Sequence, residues 1–155
     1  MMHFQKMEGS CQCEVNRFSI TDKPIARFIC HCQVCQQYTG KPYSDVLVFL
    51  KKDIAQLEIG ATTFKRYKLP PNIRRGICKK CHQPSIEFGV LEQFAFIPMM
   101  NIKESTSLDL PSMHIFYHRR VQDIEDHIPK YSGFMLSQAM VSKLVMQGLY
   151  QRLTH

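Results

Sequence analysis

No stretch of this chain approaches the roughly 18 consecutive apolar residues of a membrane span. That argues against a helical membrane protein. Low-complexity tracts are also missing, and nothing repeats apart from the cysteine clusters. The first residues, "MMHFQKMEGSCQC", lack the apolar core of a signal peptide. The expectation from this is a cytoplasmic protein. Acidic residues are outnumbered, 13 against 20 Lys and Arg, which leaves a formal net charge of +7 and a pI near 9.1. A solvated basic surface or attraction of a small anionic substrate accounts for that charge. Nucleic-acid binding is disfavoured, because no arginine-rich helix or stacking-aromatic motif accompanies it.

What the chain does have is cysteine: 7 in 155 residues. Cytosolic thiols stay reduced, so the cysteines point to metal or chemistry before disulfides. An odd number also cannot pair completely within the chain. The length suits one domain with a real core, and 45% hydrophobic with 21% charged residues is ordinary for a folded soluble protein.

Along the chain, the segment from Glu14 to Ile20 reads as a strand, and "PIARFIC" returns from it after a turn at Asp22 to Pro24. A hairpin is expected there. "QQYTGKPYS" reads as a short helical turn ended by Gly40 and Pro42, and "DVLVFL" as a buried strand. "LEIG", "TFKRYKL", "IRRGIC", "SIEFG", "FAFIP" and the stretch from His114 to His118 supply further strands, with a turn at "PPN", residues 70–72. Many short strands between turn signals predict a mainly β, mostly antiparallel domain. From Phe134 to Leu153 the pattern changes to helical spacing. Met135, Ala139, Met146, Leu149 and Leu153, widened by Met140, Val145 and Tyr150, predict one amphipathic C-terminal α-helix. Its apolar stripe would pack on its own domain or form a homodimer contact. Residues 1–131 are accordingly read as a zinc-binding β domain and 132–155 as a helical extension.

The cysteines fall into "CQC" (Cys11, Cys13), "CHCQVC" (Cys30, Cys32, Cys35) and "CKKC" (Cys78, Cys81). Zinc takes four protein ligands in structural sites, and three plus an open position in catalytic ones. Seven ligands divide into four plus three. The economical partition puts Cys11, Cys13, Cys78 and Cys81 on a closed, structural zinc. Cys30, Cys32 and Cys35 are left for a second, catalytic-type zinc. An empty, partly oxidised or iron–sulfur cluster is the competing state of the triple cluster. His31 lies between two of its cysteines. It is a fourth ligand, an orienting or acid–base group, or a merely structural residue.

These residues also carry a resemblance. "GSCQC", "CHCQVCQQYTG", "RRGICKKCHQPS" and "LDLPSMHIFYHRRVQDIEDHIPKY", in that order, resemble the glutathione-dependent formaldehyde-activating (Gfa) family, which includes the centromere-protein-V-like proteins. The resemblance spans roughly Glu8 to Tyr131. It implies several small coiled antiparallel β-sheets around a structural zinc on Cys11, Cys13, Cys78 and Cys81. It also implies a catalytic-type zinc on Cys30, Cys32 and Cys35. The implied activity is that of a carbon–sulfur lyase: addition of glutathione, or another small thiol, to formaldehyde or a similar small aldehyde. Two departures are visible. His82 stands where the family has glycine after CxxC, and "VQDIED" replaces an aromatic after the HIF segment.

If that chemistry holds, a thiol would be kept as thiolate at the three-cysteine zinc, with His31 or His114 as candidates to protonate the product alkoxide. Lys41, Arg74, Arg75 and Arg119 flank the motifs and are candidates to meet an anionic thiol such as glutathione. The other reading is a non-enzymatic zinc-binding scaffold or interaction module whose triple cluster is empty or redox-active.

Overall fold

The structure is a computed structural model that describes residues 4–67, 73–89, 91–104 and 108–155. The expected turn at 70–72 lies outside the described residues. Among the described residues there are ten strands and two α-helices, so the chain is mainly β with one long C-terminal helix.

A continuous apolar run predicts a strand buried on both faces, and β4 (Ser44–Leu50) is one. Leu47 and Phe49 point into one apolar cluster, Val46 and Val48 into a second. Around β4 a seven-stranded sheet forms in the order β10-β3-β4-β9-β8-β7-β6. Its other members are β3 (Ala26–Cys30), β6 (Thr62–Lys65), β7 (Ile73–Cys78), β8 (Pro84–Gly89), β9 (Phe94–Pro98) and β10 (His114–Ile115). All pairings are antiparallel except that of β10 with β3. A second sheet has three strands, β1 (Met7–Ser10), β2 (Arg17–Ile20) and β5 (Ile54–Glu58), in the order β1-β2-β5. Met7, Phe18, Ile20 and Ile54 of this sheet share the first cluster with Leu47, Ile86, Phe88 and Ile97 of the larger one.

Three local expectations need correction. The hairpin between the Glu14–Ile20 and "PIARFIC" segments does not form. β2 pairs with β1 and β5, while β3 pairs with β4 and β10 in the other sheet. The connection carries the chain between sheets, with Thr21 bonded to Asp53 and Ile25 to Val48. The strand from His114 to His118 stops at Ile115, because Phe116 takes a left-handed φ of 53° and starts a 3₁₀ turn over Tyr117–Arg119. Helix α1 (Gln33–Thr39) begins before "QQYTG" and takes in Cys35; Gly40 closes it in the left-handed conformation, φ 68°.

Helix α2 (Phe134–Thr154) lies on the second cluster through Met140, Val141, Leu144, Val145 and Leu149. The apolar stripe read from the sequence is therefore only partly the packed one: Met135, Met146, Tyr150 and Leu153 are exposed. The docking face is fixed by close backbone approach instead. Gly148 sits against Ile25, where a Cβ would come within 1.9 Å of the Ile25 carbonyl oxygen. Arg152 then bonds Asp53 Oδ2 at 2.8 Å and the Lys23 carbonyl at 2.6 Å.

Candidate metal centres

The β1–β2 connection and the end of β7 present two cysteine turns to each other. Cys11 and Cys13 come from the first, Cys78 and Cys81 from the second, and their four sulfurs all lie within 4.8 Å of one another. Each turn ends on a residue in the left-handed region: Glu14 at φ 65° after "CQC", His82 at φ 60° after "CKKC". His82 thus occupies a backbone state that glycine adopts without strain. Backbone amides converge on the sulfurs. Asn16 N–H donates to Cys11 Sγ at 3.4 Å; Lys80 and Cys81 N–H donate to Cys78 Sγ at 3.3 and 3.4 Å. The fully buried Asn16 adds its Nδ2 at 3.6 Å from Cys11 Sγ and 3.2 Å from the Ala61 carbonyl. Sequence reasoning missed Asn16, since a lone asparagine in a loop carries no signal of its own.

The thiols answer to one another. Burial raises the Cys11 thiol, but the amide bond from Asn16 and the neighbouring thiols bring it net below its ordinary value. Cys81 falls to about 7 in the same way, its burial outweighed by bonds from the Cys13 and Gln83 backbones. Cys13 rises to about 11, because burial and hydrogen bonding with the other three thiols outweigh the amide bond at Val15. Donation of this kind stabilises thiolate, the form that binds metal.

Zinc can be tested against this geometry. Zn–S bonds of roughly 2.3 Å in a tetrahedron place sulfurs about 3.8 Å apart. Cys11 and Cys13 Sγ are 3.7 Å apart, Cys13 and Cys78 Sγ 3.6 Å. Four converging soft donors with amide support fit a structural zinc.

The second cluster is built from the end of β3 and the start of α1. Cys30, Cys32 and Cys35 bring their sulfurs within 4.8 Å of one another, with Cys30 and Cys35 buried and Cys32 part-exposed. Cys32 also caps α1 by accepting the Cys35 amide at 3.3 Å. Hydrogen bonds from the Cys30 and Cys35 thiols hold the Cys32 thiol far below its ordinary value, with a contribution from the Arg75 charge. Cys30 and Cys35 are pushed above theirs by the same coupling. One readily lost proton among three thiols suits a metal-binding donor set, and three soft donors fit zinc with one further position.

His31 does not join those sulfurs. It is 1% exposed, ringed by Tyr43, His114 and Tyr117, with Nε2 2.9 Å from His114 Nδ1. His114 Nε2 in turn meets Asp126 Oδ2 at 2.8 Å, and Lys130 Nζ bonds the same carboxylate. The candidate basic residues separate. Arg74 is spent on Glu92 at 2.7 and 2.8 Å and lies over Phe64 and Phe88. Arg75 is buried beside Glu87. Lys41 and Arg119 are exposed.

A mainly β chain with one cluster of four cysteines and one of three defines a class of protein whose two clusters could each hold a metal ion. The family whose description is "Glutathione-dependent formaldehyde-activating enzyme" matches residues 6–119, and the chain belongs to that family. Among solved structures it is similar to the crystal structure of a Rhodobacter sphaeroides protein. The TM-score is 0.52 at 11% identity, over 65% of this chain and 92% of that one, a likeness of fold alone. No curated protein matches the chain.

Proposed function

We propose that the chain is a zinc-dependent carbon–sulfur lyase-type enzyme that adds a small thiol, glutathione or a similar anion, to a small aldehyde such as formaldehyde. The observation that carries this reading is the convergence of Cys30, Cys32 and Cys35 at the β3–α1 junction, a three-thiol set one short of zinc's usual four ligands, in a member of this family. A zinc bound there would supply Lewis acidity that keeps the incoming thiol ionised at neutral pH. The chain's own part is positional. The α1 cap fixes Cys32 relative to Cys35, and burial of Cys30 and Cys35 keeps water from two of the three donors. Holding thiol and aldehyde together removes much of the entropic barrier. Little more is needed, since thiols add to formaldehyde readily without a catalyst. Cys11, Cys13, Cys78 and Cys81 act as the structural zinc site that folds the two sheets together.

No helix among the described residues is long and apolar enough to cross a membrane. A reducing, cytoplasmic compartment would keep all seven thiols available and supply glutathione.

Burial of two of the three cysteines favours a second reading, a zinc-stabilised scaffold whose triple cluster is closed to substrate. The test is NMR-monitored formation of the thiohemiacetal from glutathione and formaldehyde, with reductively prepared protein. The enzyme reading expects exchange faster than in buffer alone, abolished by Cys32→Ser. Equal rates with and without protein support the scaffold.

A further inference from the structure

Arg75 and Glu87 face each other across the β7–β8 pair, with Nε 3.0 Å from Oε2 and side-chain exposures of only 11% and 6%. Arg75 has left water, which is costly unless the surroundings balance it, and burial pushes the Glu87 carboxyl up to about 7, so Glu87 balances that charge only in part. After Glu87, the groups that act on Arg75 are Cys35, Cys32 and Cys30, in that order. A contact between main chain and helix keeps the two halves together: Tyr38, on the helix that carries Cys35, donates its hydroxyl to the Gly76 carbonyl beside Arg75 at 2.9 Å. The guanidinium lies 5.9 Å over the Tyr67 ring, which stands 6.3 Å from that of Tyr38, so it faces the helix that carries Cys35. Three thiolates on a divalent ion leave one excess negative charge, and a thiolate substrate adds another. In a dry site that excess needs a cation.

We propose that Arg75, held in place by Glu87, is a positioning residue of the three-cysteine centre, its buried charge offsetting the excess negative charge of the metal–thiolate group so that metal and an anionic thiol are retained there. This rests on the zinc reading of Cys30, Cys32 and Cys35 and adds to it the source of the site's anion tolerance. Glu87 holds the guanidinium through the ion pair across the β7–β8 ladder. Cys78, three residues along β7, belongs to the other centre, so the two metal sites share one strand.

The test is zinc affinity by chelator competition on the full chain, kept reduced, for the wild type and three variants. Arg75→Met leaves Glu87 without its partner and risks the fold, so Arg75→Met/Glu87→Gln removes both charges together. The double variant is expected to keep the four-cysteine zinc and the native fold by circular dichroism. Its affinity for the second zinc should fall about 10–100-fold, the loss seen when outer partners of metal ligands are removed. Arg75→Lys, which keeps the charge, should bind the second zinc more tightly than the methionine variants. The inference is overturned if the double variant holds both zincs as tightly as the wild type, or if Arg75→Lys is as weak as Arg75→Met. A wild type that takes up only one zinc overturns the reading on which the inference rests, and does so without reference to Arg75.

Discussion

His31 Nε2 meets His114 Nδ1 at 2.9 Å in the interior, and the far edge of His114 meets Asp126 at 2.8 Å. The direction of the two bonds follows from the last member. The Lys130 ammonium, with His114 beside it, holds the Asp126 carboxyl down to about 2, so it is a carboxylate and only accepts. His114 donates to it from Nε2. Burial, then the nearby His114, pushes His31 down to about 4, so its ring is neutral at pH 7. With one proton on each ring, the bonds run from His31 through His114 to Asp126, Nε2–H on both, and His31 Nδ1 has no partner among the described residues.

Nitrogen-15 NMR of the histidine rings at neutral pH should report Nε2–H on both; Nδ1–H on His31 would contradict this order. Asp126→Ala should lower the urea midpoint more than Asp123→Ala, whose partner Arg120 is on the surface. Because Asp126 is depressed in the fold, its contribution is present above the ordinary carboxylate value of 3.8. It is lost as pH falls from there towards about 2.

Gly148→Ala should destabilise the protein by about 1–3 kcal/mol, although alanine is the better helix former by about 1 kcal/mol. The added methyl would meet the main chain of Ile25 at 1.9 Å, and a carbonyl cannot swing aside as a side chain can. Thermal unfolding measures the net effect. An increase in stability would mean that α2 does not dock at this point.

His82→Gly should stabilise the fold by roughly 1 kcal/mol, by relieving a left-handed backbone at φ 60°. Denaturant unfolding of the zinc-loaded protein reads this directly. No change, or a loss, would show that the His82 side chain contributes more than its backbone costs.

In protein stripped of its weaker-held metal, brief alkylation at neutral pH should label Cys32 ahead of Cys30 and Cys35. Cys32 alone of the three is part-exposed, and its neighbours hold it as the thiolate. Peptide mass mapping checks the order. First labelling at Cys30 or Cys35 would mean that the β3–α1 junction is open in solution.

The cysteine turns were legible because each is local: CxC and CxxC spacing brings two thiols together before any fold is known, and the structure brings Cys11 and Cys13 to Cys78 and Cys81. β4 was legible as well, since burial on both faces leaves a run of apolar residues with no alternation. What binds distant segments was not. Arg75 and Glu87 look like ordinary surface charges until β7 and β8 pair, and Asp126 sits in a loop with no periodicity to mark its partner. The α2 stripe misled because apolar side chains occur on more than one side of that helix. Gly148, a residue with no side chain, decides which side docks. The misplaced hairpin came from trusting a turn signal between two strands. The short "MEGS" strand, one of β2's two actual neighbours, carries little β-forming character.

The central claim is that seven cysteines divide into a four-thiol fold-holding zinc and a three-thiol reaction zinc. Elemental analysis of reductively purified protein, with and without added glutathione, tests it most directly. The account predicts close to two zinc ions per chain. Cys32→Ser should be folded with one, and Cys78→Ser should fail to fold or stay soluble. One zinc in the wild type under these conditions, or aggregation of Cys32→Ser like that of Cys78→Ser, would contradict the division.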